Sequence, residues 1–265
     1  MLILHALTVF VGTASALTTD TAVVDWSLMG HTAALEDAQP RGPELLQAGK
    51  NGRLLLYDGV RREVVVLEAD RPALSFPVRH ASDLALLDDR ALVLDHSARE
   101  IELWSLEGDL RSVRSIPDLV PTAVTIGIVG DQVLCIDLFG HGHPLASLQD
   151  DELQAPVLSG LQERDVSVVW DGATMATPGL ELPLPQAIKA SGQRFGDWLI
   201  VDEVIADRPI VATRTAWHIP TRQALELPVE GRLYAPRGDV AVTPEGQLVV
   251  LVPRDVGLEI LRVSP

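Results

Sequence analysis

Residues Ser82–Pro117, SDLALLDDRALVLDHSAREIELWSLEGDLRSVRSIP, hold the pattern that decides the fold. The stretch divides into four short runs, Ser82–Asp89, Arg90–His96, Arg99–Glu107 and Leu110–Pro117. They are separated by Asp88-Asp89, Ser97-Ala98 and Gly108-Asp109. Apolar runs of this length, broken by residues that favour turns, predict antiparallel strands joined by hairpins.

The rest of the chain repeats this unit. Its second run, Leu92-Val93-Leu94-Asp95, returns as Leu54-Leu55-Leu56-Tyr57-Asp58, Leu134-Cys135-Ile136-Asp137, Leu199-Ile200-Val201-Asp202 and, without the acid, Leu248-Val249-Val250-Leu251. A turn pair precedes each: Asn51-Gly52, Asp88-Asp89, Gly130-Asp131, Gly196-Asp197 and Glu245-Gly246. A closing marker recurs at Leu74–Pro77, Arg114–Pro117, Leu180–Pro183 and Leu225–Pro228. The first two intervals between the acids are 37 and 42 residues. Four strands per unit at that period predict an all-β fold, a single β-propeller.

The ends of the chain supply the closure. Ala22–Met29 reads as one strand with no local partner, whereas Asp239–Val242, Gln247–Val252 and Leu258–Val263 read as three. One strand added to three completes a unit, shuts the ring and removes exposed sheet edges. The period is disturbed between Asp137 and Asp202, which lie 65 residues apart. If Val166–Trp170, followed by Asp171-Gly172, is a second-run strand, the ring has six blades. If it is a third-run strand after an insertion at about 140–164, it has five. About 250 residues at about 40 per unit favour six.

The 265 residues divide into a segment 1–19 and a propeller domain 20–265. Met1–Thr19 contains no charged residue, and Leu2–Val11 is apolar. With Ala14-x-Ala16 behind it, the segment reads as a signal peptide lacking a basic start, hence a secreted or periplasmic protein. No later stretch spans a bilayer, so no membrane insertion is expected once that segment is removed. The net charge of −16 opposes nucleic-acid binding, which relies on clustered cations. The single Cys135 lies in an apolar strand and reads as a small core residue. The five tryptophans fall in or beside strands and read as packing between units.

The run Leu92–Trp104, ending in Glu107-Gly108, resembles an NHL-type repeat. That family shows an apolar strand ending in Asp, a turn with a basic residue (here Arg99), a strand ending in an aromatic, and a closing Asp-Gly, where this chain has Glu107-Gly108. Asp58, Arg61 and Arg62 fit the preceding unit. The resemblance covers two units and implies a six-bladed propeller. It implies no activity, because propellers host binding, scaffolding and catalysis alike.

Two sets of residues invite a chemical reading. Asp58, Asp95, Asp137 and Asp202 each end a second-run strand. They are expected to be structural, accepting backbone N–H bonds from the turn that follows. In the loop Phe139–Pro144, His141 and His143 follow Asp137 at a spacing that would place two imidazoles and a carboxylate around a divalent metal. The commoner outcome for such a Gly-rich segment is a solvated turn. Asp150-Asp151-Glu152 lacks the spaced ligands of a calcium loop and reads as an acidic tip. No catalytic residue and no further cofactor site is indicated, since nucleophile, metalloprotease and phosphate-loop motifs are all missing. The expected role is a non-catalytic binding scaffold, with a protein, peptide or cell-envelope component held by loops on one face. The alternative is a metal-dependent hydrolase resembling gluconolactonases, a family that draws acidic and Asn ligands from several blades. Asn51 is the only Asn here.

Overall fold

A computed structural model describes residues 16–31, 41–118, 120, 123–137, 141–149, 152–156, 162–163, 168–207, 210–228 and 238–265. The start of the predicted signal segment, most of the connection 31–44, Phe139-Gly140, Asp150-Asp151 and the link 229–237 lie outside the described residues.

The chain opens with β1 (Thr18–Asp25) and a 3-10 turn, Trp26–Leu28. The first sheet follows: β2 (Pro43–Ala48), β3 (Leu54–Asp58), β4 (Glu63–Glu68) and β5 (Arg71–Pro77). The second has β6 (Asp83–Leu86), β7 (Arg90–Asp95), β8 (Glu100–Ser105) and β9 (Leu110–Ser115), the four runs of the opening stretch in order. The third has β10 (Ala123–Val129), β11 (Gln132–Asp137), β12 (His141–Gln149) and β13 (Glu152–Gln154), with β14 (Gln162–Glu163) added beside β12. The fourth has β15 (Val169–Trp170), β16 (Thr174–Thr177) and β17 (Leu180–Pro183). The fifth has β18 (Lys189–Phe195), β19 (Trp198–Asp207), β20 (Ile210–His218) and β21 (Gln223–Leu227). The last three strands are β22 (Val240–Val242), β23 (Leu248–Arg254) and β24 (Gly257–Ser264). They join β1 in a closing sheet of order β1-β24-β23-β22.

The pairing of the chain ends follows the sequence reading, but the strand is Thr18–Asp25 and not Ala22–Met29, since Trp26–Leu28 form the 3-10 turn. Thr18 lies opposite Ser264 and Asp25 opposite Gly257. Of Val166–Trp170, Val166-Ser167 lie outside the described residues. Val169-Trp170 pairs with Ala176 and Met175, at the edge of the fourth sheet's three described strands. The segment His141–Pro144 is likewise a strand and not a loop. Gly142 and His143 lie opposite Ile136 and Cys135, and a bulge near Leu134 and Pro144 absorbs the proline.

The core is divided among junctions between sheets, and successive residues of each second strand serve opposite junctions. Leu54 and Leu56 pack with Val249 and Leu251 of the closing sheet, while Leu55 and Tyr57 pack with Leu84 and Val93 of the second. Leu92 and Leu94 in turn meet Val133 and Cys135 of the third. Leu199 and Val201 meet Met175 of the fourth, and Trp198 and Ile200 meet Leu248 and Val250 of the closing sheet. Burial on both faces explains why these strands read as continuous apolar runs. Phe76 and Trp104 stack across the first junction with centroids 5.0 Å apart. The described clusters therefore link the sheets in the order third, second, first, closing, fifth, fourth. None of them joins the third sheet to the fourth. Leu134, which alternates with Val133 and Cys135, is nevertheless buried.

Candidate functional site

The ends of the second strands lie beside the starts of the first strands, and there the repeated acids are found. Asp58 is fully buried and accepts from the amides of Gly30 (2.5 Å), Val60 (3.0 Å) and Arg61 (3.0 Å). Asp95 accepts from Ala98 N (2.9 Å) and pairs with Arg79 Nε (2.7 Å). Asp137 accepts from His141 N (3.0 Å). These three hold turns, as a strand-terminal carboxylate does. Asp202 does something different. It lies within β19, directly opposite Arg214 on β20, and accepts from that guanidinium at 2.6 and 3.3 Å.

The structure does bring Asp137, His141 and His143 together. Both imidazoles address one oxygen, Asp137 Oδ2, His143 Nε2 at 2.9 Å and His141 Nδ1 at 3.3 Å. This is a hydrogen-bonded cluster on a strand. Among the described residues, no group of three or more His, Cys, Asp or Glu side chains is arranged to hold a metal ion.

A more elaborate site lies where five sheets meet. A cavity of about 660 Å³ is lined from β2, β6, β10 and β18 and from the approach to β22, together with Asp202, Arg214 and the His96-Ser97 turn. Local backbone shapes its wall. Leu45 has φ of 62°, in the left-handed region where a leucine is strained, and marks a bulge between β2 and β3. The bulge frees Leu46 N from the ladder to donate to Gly238 O at 2.6 Å, tying the first sheet to the closing one. A Cβ on Gly238 would lie 3.3 Å from Leu45 Cα, so the close approach suits a glycine.

Two polar clasps cross the cavity's edges. Asp83 Oδ2 accepts from Thr125 Oγ1 (2.5 Å) and Ile126 N (2.7 Å), joining the second sheet to the third. Arg214 joins Asp202 of its own sheet to Asp239 at the start of the closing sheet. Burial pushes the Asp83 carboxyl above its ordinary pKa, partly opposed by the Thr125 and Ile126 bonds. Burial raises Asp239 in the same way, and Arg214 opposes the shift. His80 completes the rim, its Nδ1 lying 3.5 Å from the Tyr57 hydroxyl. Neither His141 nor His143 lines this cavity.

Of the lining residues the sequence reading singled out only Asp202, as a turn acid, although a signal exists for others. Asp83-Leu84-Ala85-Leu86 and Asp239-Val240-Ala241-Val242 repeat one pattern at equivalent positions, the start of a first strand.

No family model matches the chain, and no curated protein matches it by sequence. The NHL-type resemblance therefore stands on Leu92–Gly108 without family support. Among solved structures it is similar to a streptogramin B lyase, at a TM-score of 0.47 and 11% identity over 91% of this chain and 100% of that one. It is also similar to the glutaminyl cyclase of Myxococcus xanthus, at 0.45 and 11% over 94% and 98%. A third is the CNH domain of AfRom2, at 0.41 and 10% over 92% and 93%. All three are β-propeller proteins. At these identities, and with each TM-score below 0.5, none of them bears on what this chain binds or does.

Proposed function

We propose that this chain is an exported six-bladed β-propeller, NHL-like in its repeat, that binds a ligand without transforming it in the cavity where its first strands converge. The observation that carries the reading is the cavity itself. It draws its walls from five sheets, and its carboxylates are already engaged by protein donors: Asp83 by Thr125 and Ile126, Asp202 and Asp239 by Arg214. Side chains held in this way give a preorganised recess of a size suited to a small molecule. The buried Leu134, facing away from the second sheet, supports a sixth junction that closes the ring. Cleavage after Ala16 would leave β1 intact, since that strand starts at Thr18. In this reading Asp137, His141 and His143 fasten the turn of the third blade. The metal-dependent hydrolase alternative needs converging ligands, and no described group of side chains favours it.

The test is a thermal-shift screen of small molecules against the wild type and Gln193→Trp, which fills the cavity from an exposed lining position on β18. Ligands that stabilise the wild type should lose that effect in the variant. Stabilisation that survives the filled cavity would place binding elsewhere and overturn the proposal.

A further inference from the structure

We propose that the ligand of this cavity is a small molecule bearing a protonated amine. The inference rests on the cavity being the binding site. Its lining holds three carboxylates, Asp83, Asp202 and Asp239, and one guanidinium, Arg214. Setting the imidazoles aside, two negative charges are in excess. The uneven distribution matters more than the count. Arg214 is shared between Asp202 and Asp239, so both carboxylates on that side have a cationic partner, although one negative charge remains in excess. Asp83, on β6, has only neutral donors among the described residues, the Thr125 hydroxyl and the amides of Ile126 and Leu84.

A partly buried carboxylate lining a cavity, with no cation beside it among the described residues, leaves an attractive potential for a positive group. Neutral donors occupy Oδ2 and do not cancel the charge. Burial holding Asp83 above its ordinary pKa is the same fact seen from the proton's side. An ammonium reaching Asp83 would supply the missing charge-assisted bond. A carboxylate or phosphate ligand would face an anionic lining whose single guanidinium is already engaged. Phe195, Ile200 and Val240 supply an apolar wall for the remainder of the molecule.

The test is calorimetric titration with three probes that share a phenyl ring and differ in head group: 2-phenylethylamine, 2-phenylethanol and phenylacetate. Each is titrated into the wild type, Asp83→Asn and Gln193→Trp. The amine should bind at least about tenfold tighter than the alcohol, the worth of one charge-assisted hydrogen bond. Phenylacetate should give no heat. Asp83→Asn should erase the preference for the amine, and Gln193→Trp should abolish binding. The wild-type comparison decides the matter even if Asp83→Asn does not fold. If the alcohol or phenylacetate binds as tightly as the amine, and Gln193→Trp abolishes that binding, the ligand class is wrong while the cavity reading stands. If none of the three binds at millimolar concentration, the amine assignment is overturned, and the library screen alone decides the cavity.

Discussion

Asp83 carries its charge where burial opposes it, and the consequence for stability has a definite sign. Its pKa in the folded chain lies above the ordinary 3.8. The folded state therefore binds the proton more readily than the unfolded one. The penalty is complete while Asp83 is ionised, above its folded pKa. It is relieved as the pH falls through that pKa towards 3.8. Asparagine keeps an acceptor for Thr125 and Ile126 without the charge. Asp83→Asn should thus be at least as stable as the wild type at pH 7, with the difference shrinking as the pH is lowered towards 4. Urea denaturation of both proteins across that range measures it. A variant less stable by more than about 1 kcal/mol at pH 7 would mean that the charge itself holds the third sheet to the second. Asp58, Asp95 and Asp137 were readable as turn acceptors because each ends a strand. Asp202 shares their sequence context and has another partner, since β19 continues past it to Asp207 and sets it opposite Arg214. A cross-strand pairing is a register property, and no local motif announces it.

At the level of strands, the second runs were the clearest signal. Each is buried on both faces, and that demand is written into consecutive residues. First strands such as β6 and β22 were also legible as short strands, but nothing in their Asp-led pattern announces that they border a cavity. His141–Pro144 was misleading in its own way: Gly and Pro signal a loop, yet Gly142 pairs in register and a bulge at Leu145 on the same strand lies beside the proline. The single strand β1 is held chiefly by backbone pairing, with Val24 its only fully buried side chain. Gly257 is where it is most vulnerable. A Cβ there would lie 2.4 Å from Val24 O and 2.9 Å from Val23 Cγ1. Because the nearest atom is backbone, the strand itself must move. Gly257→Ala should cost about 1–3 kcal/mol and make the N-terminal segment the first site of proteolytic nicking. Unchanged stability and unchanged protease resistance would show that β1 is not needed to seal the closing sheet.

For the whole molecule, neither the charge of −16 nor the 265-residue length alone counts the blades, and length divided by the repeat period pointed to six. Six separate sheets are present among the described residues, and the described core clusters join them at five junctions. Between Asp137 and Asp202, where the period is disturbed, the described residues give the third sheet an extra strand, β14, and the fourth only three. A cavity that draws on five sheets requires those sheets to stand around a common axis, so closure between the third and fourth is the claim on which the functional account depends. Cys135 lies fully buried, its thiol pushed up to about 12 by burial, so new cysteines can be labelled without interference from it. Spin labels at Glu152 on β13 and Glu181 on β17 would flank the proposed sixth junction, and labels at Leu74 on β5 and Val113 on β9 flank a junction already packed. Double electron–electron resonance should give overlapping short distance distributions for the two pairs. A clearly longer or much broader distribution for Glu152–Glu181 alone would mean an open arc of sheets, contradicting the closed ring and the ligand site at its centre.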